Sequence, residues 1–337
     1  MKNTLFLFAA FAVVSIASCN KQDAITPEIV PTHNATVSVN LMGVTSYVTK
    51  STTIDHESTP TNIQLFIFRN SGTDKSKNVL DVKTINTTLS FDVTTTTGPK
   101  SFYALVNAPV LAADTEAELL NHVSSLSENA VATSFEMIGK ADFNVAETAS
   151  QSVPIEVNRI CARIKLEKIT NSLSAPYSVL HIKNIYVSNA AGDVNLAAAL
   201  EPATAYTVSK WYNVTDGFYA SDASVDGLLY DNAIATDLAN TKASTGTHYL
   251  YTYPNKQNSM NVTRLVVAAT IDSDAIVYYY PITLPEAVAP NKSFNVSNIT
   301  ITRPGTVTPN EPIVTEACTV NITVKPWGDV AVPDPTI

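Results

Sequence analysis

The stretch "SVPIEVNRICARIKLEKI", Ser152 to Ile169, decides how this 337-residue chain is built. Val153, Ile155 and Val157 fall on odd positions, whereas Ile160, Ala162, Ile164 and Leu166 fall on even ones. Side chains of a β-strand alternate between two faces. A one-residue change of phase therefore means either a bulge or the end of one strand and the start of another. We place a domain junction here, between residues 158 and 159. A mature chain of roughly 300 residues is longer than one core usually serves, which also favours two domains.

The alternation continues on both sides. Upstream, "ATVSVNLMGV" carries Val37, Val39 and Leu41 on one face. "NIQLFIFRN" follows and closes at Ser71-Gly72, then come "TLSFDV", a turn at Gly98-Pro99, and "SFYALVNAP". One short helix interrupts this meander. Asp114-Thr115 opens it, Thr115 and Glu118 stand at capping-box spacing, and Leu119, Leu120, Val123 and Leu126 share a face. Downstream, "SVLHIKNIYVS", "THYLYTYPN", "TRLVVAATID", "AIVYYYPITL" and "KSFNVSNITITRPG" repeat the strand pattern. Asp272-Ser273-Asp274 reads as a hairpin turn. A proline-bearing linker, 304–316, leads to a C-terminal segment, 317–337, with "ACTVNITVKPW". Its Val320, Ile322 and Val324 face one way, and Thr319, Asn321, Thr323 and Lys325 face the other. Threonine, valine and tyrosine are abundant and charge is sparse, so the chain is expected to be all-β and exported.

The N-terminus sets the route. Met1 to Ser18 has a charged Lys2, an apolar run from Leu5 to Val14, and small residues Ala17 and Ser18, the layout of a secretory signal. It is shorter than the roughly 20 apolar residues that span a bilayer. Ile16-Ala17-Ser18-Cys19 matches the bacterial lipobox, in which cleavage between Ser18 and Cys19 leaves a diacylglycerol-bearing cysteine as the new terminus. Two acyl chains anchor stably, and 19–34, with Pro27 and Pro31, reads as a tether. Asn20-Lys21-Gln22-Asp23 resembles a surface-export signal.

The chemistry-bearing residues form no catalytic pattern. Net charge is −9 and Lys/Arg residues are not clustered, so nucleic acid is not an expected partner. The histidines, at 33, 56, 122, 181 and 248, never fall at metal-site spacing. There is no GxSxG, P-loop or GxGxxG motif. No cofactor, metal or enzymatic activity is expected. Tyr278-Tyr279-Tyr280 and Trp211-Tyr212 read as β-formers before they read as a sugar platform. Cys161 shares parity with Arg159, Arg163 and Lys165, and Cys318 with Val320. This predicts one thiol on a polar face and one on an apolar face. An exported protein permits a disulfide between them, but the sequence does not set their separation.

"YALVNAP", "RICARIKLEKI", "YLYTYPN", "YYPITLP" with "NKSFNVSNITITRPG", and "ACTVNITVKPW" run nearly end to end behind the lipobox. In their order and spacing the chain resembles the FimA-type fimbrillins, lipoprotein-derived subunits of Bacteroidales type V pili. The resemblance implies two tandem transthyretin-like β-sandwich domains, with the short helix in the first. It implies export to the outer membrane, removal of the first strand by a surface Arg- or Lys-specific protease, and polymerisation into an extracellular fimbria. In that process the C-terminal strand of one subunit fills the vacated groove of another copy or a related subunit. Mapped here, the departing strand is 35–48, with Val37, Val39 and Leu41 as its inward face. The cut falls between Lys50 and Ser51, where the best-known members carry arginine. The donor residues are Val320, Ile322 and Val324, with Val330 and Val332 in reserve. The residues alone leave two roles open for "ACTVNITVKPW", completing its own domain or being donated.

Overall fold

The computed structural model describes residues 33–43, 60–129, 135–148, 150–200, 206–256, 261–311 and 317–327. Ser18, Cys19, the tether as far as residue 32, Lys50, Ser51, Val330 and Val332 lie outside these.

The first half contains β1 (Asn34–Met42), β2 (Ile63–Arg69), β3 (Leu80–Asn86), β4 (Ser90–Thr96), β5 (Gly98–Val106), α1 (Glu116–Asn121), β6 (Val123–Ser125), β7 (Met137–Val145) and β8 (Gln151–Arg159). Seven of the strands form one sheet in the order β3-β2-β5-β7-β8-β1-β4. The sheet curls until its ends meet, because Val37 and Val39 of β1 share one apolar cluster with Ile63, Leu65, Ile67, Phe102, Val153 and Ile155. The opposite face of β2 and β5 sends Phe66, Phe68, Tyr103 and Leu105 into a second cluster. Strands covered on both faces read as continuous apolar runs, and "LFIF" is such a run.

Where the two edges meet, Asp81 of β3 accepts from Thr95 Oγ1 (2.6 Å) and Thr96 N (3.0 Å) of β4, and from Lys100 Nζ (2.9 Å) of β5. The Lys100 and Asp81 side chains are only 1% and 3% exposed. Burial alone would raise the Asp81 carboxyl, but the donors from Thr95, Thr96 and Lys100 outweigh it and hold the group well below the usual carboxylate range. Burial also lowers the Lys100 ammonium, against the opposing pull of Asp81.

Between β8 and β9 (Ala162–Leu166) the chain bends at Ile160 and Cys161. The change of phase at this point is therefore a break between two strands. After the break come β10 (Ile169–Asn171), β11 (Val179–Ser188), β12 (Ala190–Ala191), β13 (Asp193–Asn195), α2 (Leu196–Leu200), β14 (Trp211–Tyr212), α3 (Asp226–Leu229), β15 (Tyr230–Asp231), β16 (Thr236–Ala239), β17 (His248–Thr252), β18 (Arg264–Ile271), β19 (Tyr278–Thr283), β20 (Lys292–Ile301) and β21 (Cys318–Pro326). One sheet runs β10-β20-β9-β17 with β21 on β20, and another runs β15-β11-β18-β19 with β16 on β11. The pairing of β6 with β13 bridges the break, and the cluster that holds Phe66 and Phe68 extends through it to Phe294 and Trp327. Strands dominate, so the chain is all-β.

Some local expectations are revised. Helix α1 starts where its capping box predicts, with Thr115 Oγ1 accepting from Glu118 N (3.3 Å) and Glu118 Oε2 from Asp114 N (2.8 Å). It stops at Asn121 because Val123 opens β6, while Leu126 begins a 3₁₀ turn. The apolar stripe was thus shared among three short elements. Helices α2 and α3 span 5 and 4 residues, too short for a 3.6-residue period to show. Cys161 is 1% exposed, not on a polar face, because the bend resets the parity that Arg159 and Arg163 suggested. Cys318 is buried as expected.

Strand β20 keeps the two cysteines apart. Asn291 N, just before it, donates to the Cys161 carbonyl, and Ile301 at its end faces Cys318. Its 10 residues at about 3.3 Å each give roughly 30 Å, far beyond the ~5.5 Å between Cα atoms of a disulfide. Cys318 carries a free thiol, which burial pushes up to about 11.

Candidate functional site

Strand β1 is seated between two neighbours and sealed on one face. Ala35, Val37, Val39 and Leu41 are between 0% and 8% exposed. It runs antiparallel to β4, with Val37 opposite Val93 and Val39 opposite Phe91. It runs parallel to β8, with Val39 opposite Val153 and Leu41 opposite Ile155. Its outward side chains reach sideways to both partners. Ser38 Oγ donates to Asp92 (2.5 Å), Asn40 Nδ2 donates to Ser152 Oγ (2.9 Å), and Ser90 Oγ donates to Asn40 Oδ1 (2.6 Å). At its end Gly43 takes φ +84°, and a Cβ there would lie 2.4 Å from the Val157 carbonyl oxygen. Glycine is needed because both the positive φ and the close approach of the β8 backbone oppose a side chain.

The three inward residues predicted to leave, Val37, Val39 and Leu41, are therefore core residues of the first sheet. Burying a side chain of this size is worth about 1.5–3 kcal/mol. Together they approach the net stability of a whole domain, about 5–15 kcal/mol. A chain without β1 would present unpaired edges on β4 and β8 above an apolar floor, which is a template for another strand of the same parity.

The predicted donor strand is seated quite differently. Strand β21 runs antiparallel along the whole of β20, from Cys318 opposite Ile301 to Pro326 opposite Lys292. Among the described residues β20 is its only partner strand. Val320, Ile322 and Val324 are half-buried against the larger cluster, while Thr319, Asn321, Thr323 and Lys325 are exposed. The structure thus brings the two sets of predicted residues into different sheets, one deeply buried and one on an edge. At the end of β21 the chain plunges inward, and Trp327 is 4% exposed. Alternation does not mark this residue, whose importance lies in contacts made far along the chain.

The bridge across the strand break is polar and buried. Glu136, 1% exposed, accepts from Ser124 Oγ of β6 and from Tyr253 OH (3.0 Å), which follows β17. Asn129 donates to Tyr253 OH (2.7 Å) and accepts from Glu136 N (2.7 Å). Burial raises the Glu136 carboxyl to about 7, the nearby Glu128 adds to the rise, and the hydroxyls of Ser124 and Tyr253 partly oppose it. Burial likewise pushes the Tyr253 hydroxyl up.

Other polar candidates have structural partners. Asp272 accepts from Ser178 Oγ (2.6 Å) and Val179 N (2.8 Å), and Asp274 from Ile276 N (3.0 Å) and Tyr278 OH (2.8 Å), so the first aspartate of the DSD stretch ties the turn to the start of β11 and the second closes it towards β19. His181 meets Asp237 (2.6 Å) and His248 meets Asp231 (2.8 Å). Among the described residues no three His, Cys, Asp or Glu side chains group closely enough to hold a metal ion. Tyr280 is fully buried and Tyr212 nearly so, so neither tyrosine run lies flat on the surface.

No protein-family model and no curated protein matches the chain. Solved structures do. A candidate cell-adhesion protein of Bacteroides eggerthii is 19% identical over 88% of this chain and 97% of its own, with a TM-score of 0.65. A fimbrilin of Porphyromonas gingivalis is 17% identical over 87% of this chain and 97% of its own, with a TM-score of 0.61. A tip fimbrial protein of the same organism, solved with a C-terminal truncation, is 10% identical over 88% and 100%, with a TM-score of 0.52. At these identities the likeness is one of fold. The chain has a fimbrillin-type β-sandwich fold.

Proposed function

We propose that this protein is a structural subunit of a cell-surface fimbria that contributes to adhesion. It is exported as a lipoprotein on Cys19, cut between Lys50 and Ser51 by a surface protease of Arg/Lys specificity, and polymerised by strand exchange. The observation that carries this reading is the seating of β1, an interior strand whose Val37, Val39 and Leu41 close the core and whose loss would leave a slot between β4 and β8. The amphipathic β21, tied to one neighbour, is the segment suited to fill that slot in another copy or a related subunit. The fimbrial and adhesion proteins that share the fold support the role. The two domains divide at 158/159 in this scheme, with 304–316 as the linker that lets the last strand reach outward. No catalytic step is assigned to the chain.

Lysine in place of arginine at position 50 keeps one variant of this role open. If the cut does not occur there, Cys19 stays attached to β1, and the subunit anchors a fimbria to the outer membrane in place of extending it. N-terminal sequencing of surface-shed protein, beside its mobility on an unboiled gel, decides between them. A terminus at Ser51 with an SDS-resistant ladder supports the stalk. Protein still acylated at Cys19 and strictly monomeric after protease treatment overturns it. Lys50→Ala is expected to reach the surface and fail to assemble, and normal polymer from it would move the cut elsewhere.

A further inference from the structure

Strand β21 has a weak middle and an unusual end. Its middle rests on three half-buried aliphatics and the backbone ladder to β20. At its end the Trp327 ring packs against residues from distant parts of the chain. The guanidinium carbons of Arg159 (β8) and Arg163 (β9) stand 4.7 and 5.0 Å from its ring centre. Tyr251 of β17 stacks on it at 5.6 Å and 24°, and Phe135, before β7, meets it edge-on at 5.5 Å. Phe135 and Tyr251 also touch each other, with ring centres 4.6 Å apart.

The backbone joins in. Trp327 N donates to the Asn291 carbonyl (2.7 Å), and Arg159 Nη1 donates to the Trp327 carbonyl (3.4 Å). Phe135 and Arg159 precede the break at Ile160–Cys161, whereas Arg163, Tyr251 and Asn291 follow it. Tryptophan is the strongest aromatic partner for a cation. Here one indole serves two guanidiniums.

We propose that Trp327 is a latch that fastens β21 to its own subunit at the break between the two sets of strands, so that release of the strand and loosening of that break are one event. The latch is a property of the single chain, and only its role in assembly rests on the strand-exchange reading. While Trp327 is seated, β21 stays on β20. Once it leaves, β21 keeps the ladder to β20, Cys318 and a half-covered apolar face, and Arg159 loses the ring it shares with Arg163, while the contact of Phe135 with Tyr251 loses its third member.

Hydrogen exchange on the full chain tests this, with wild type, Trp327→Ala and Trp327→Phe compared. Removing a buried aromatic is expected to speed exchange of amides 318–326 at least about tenfold. Amides 159–163 and 249–251 should follow, while those of β2 and β5 keep their rates. Trp327→Phe should restore most of the protection. Unchanged exchange in 318–326, or equal acceleration in β2 and β5, overturns the latch.

Alkylation of Cys318, mapped by mass spectrometry, reads the same release from inside the strand. It is followed by an assembly assay on chains cut with a lysine-specific protease. Fast Cys318 labelling in Trp327→Ala with no polymer from cut chains keeps the latch and removes the strand-exchange reading. Unchanged labelling with normal polymer removes the latch and keeps the strand-exchange reading.

Discussion

Glu136 is the residue whose ionisation should be visible from outside the molecule. Its folded value of about 7 lies above its ordinary 4.5, so folding favours the protonated form. Its stabilising contribution is full below 4.5 and is lost as pH rises through about 7. The lowered carboxyls Asp81 and Asp142 act in the opposite direction, but only as pH falls towards and below their ordinary 3.8. Thermal unfolding followed from pH 5 to pH 8 should therefore show a decline that Glu136→Gln flattens, by up to about 3 kcal/mol. An equal decline in both proteins would remove Glu136 as its source. Lys100→Met should leave the Asp81 carboxylate to Arg69 and the two threonines and so cost less in a denaturant titration than the about 3–5 kcal/mol of a fully unpaired buried charge. Neither partnership was legible in the sequence. Glu136 meets Tyr253 across 117 positions, and no local pattern announces a contact made by the fold. Cys161 was misread for the same reason, since parity counts only within a strand and this residue lies in the bend beside one.

At the scale of elements, alternation served well where one face is wet and one is dry. Strands β1, β8 and β9 have strict period-2 burial, and each was legible from its aliphatics. Strand β3 was missed because all but one of its residues are half-buried, which leaves no contrast between its faces. In β7 the buried "MIG" gives way to a charged, half-exposed "KAD", so no single pattern runs its length. Strand β6 is three residues long and exists because β13 pairs with it. The same contrast of seating predicts unequal costs. Leu41→Ala in β1 should cost about 2–5 kcal/mol, whereas Ile322→Ala in half-buried β21 should cost less than half as much by urea midpoint. Comparable losses would mean that the last strand is held as tightly as the first. Gly43→Ala should cost more than about 1 kcal/mol, because its positive φ and the Val157 carbonyl both oppose a Cβ. Unchanged stability would show that the exit from β1 can re-route.

For the whole molecule, the distance between Cys161 and Cys318 predicts that stability does not depend on an intramolecular disulfide. Unfolding midpoints measured with and without reductant should agree, and Cys318 should resist alkylation until the chain unfolds. A midpoint that drops on reduction would contradict the roughly 30 Å of β20 set between the two thiols. The sequence indicated an all-β chain and a change of phase next to the strand break, without deciding between a bulge and a break. It did not indicate that the first sheet curls until its edges meet at Asp81, because that closure depends on a lysine, two threonines and an aspartate on three different strands. The seating of β1 has one more consequence. Strands β4 and β8 point in opposite directions along it, so any strand entering the slot is parallel to one wall and antiparallel to the other, whichever end goes in first. In the strand-exchange scheme proposed above, backbone pairing in such a slot would select for alternation and would not by itself set direction. On that scheme a filament of single polarity would draw it from outside the slot, and the length and stiffness of the linker 304–316 behind the incoming strand would provide it.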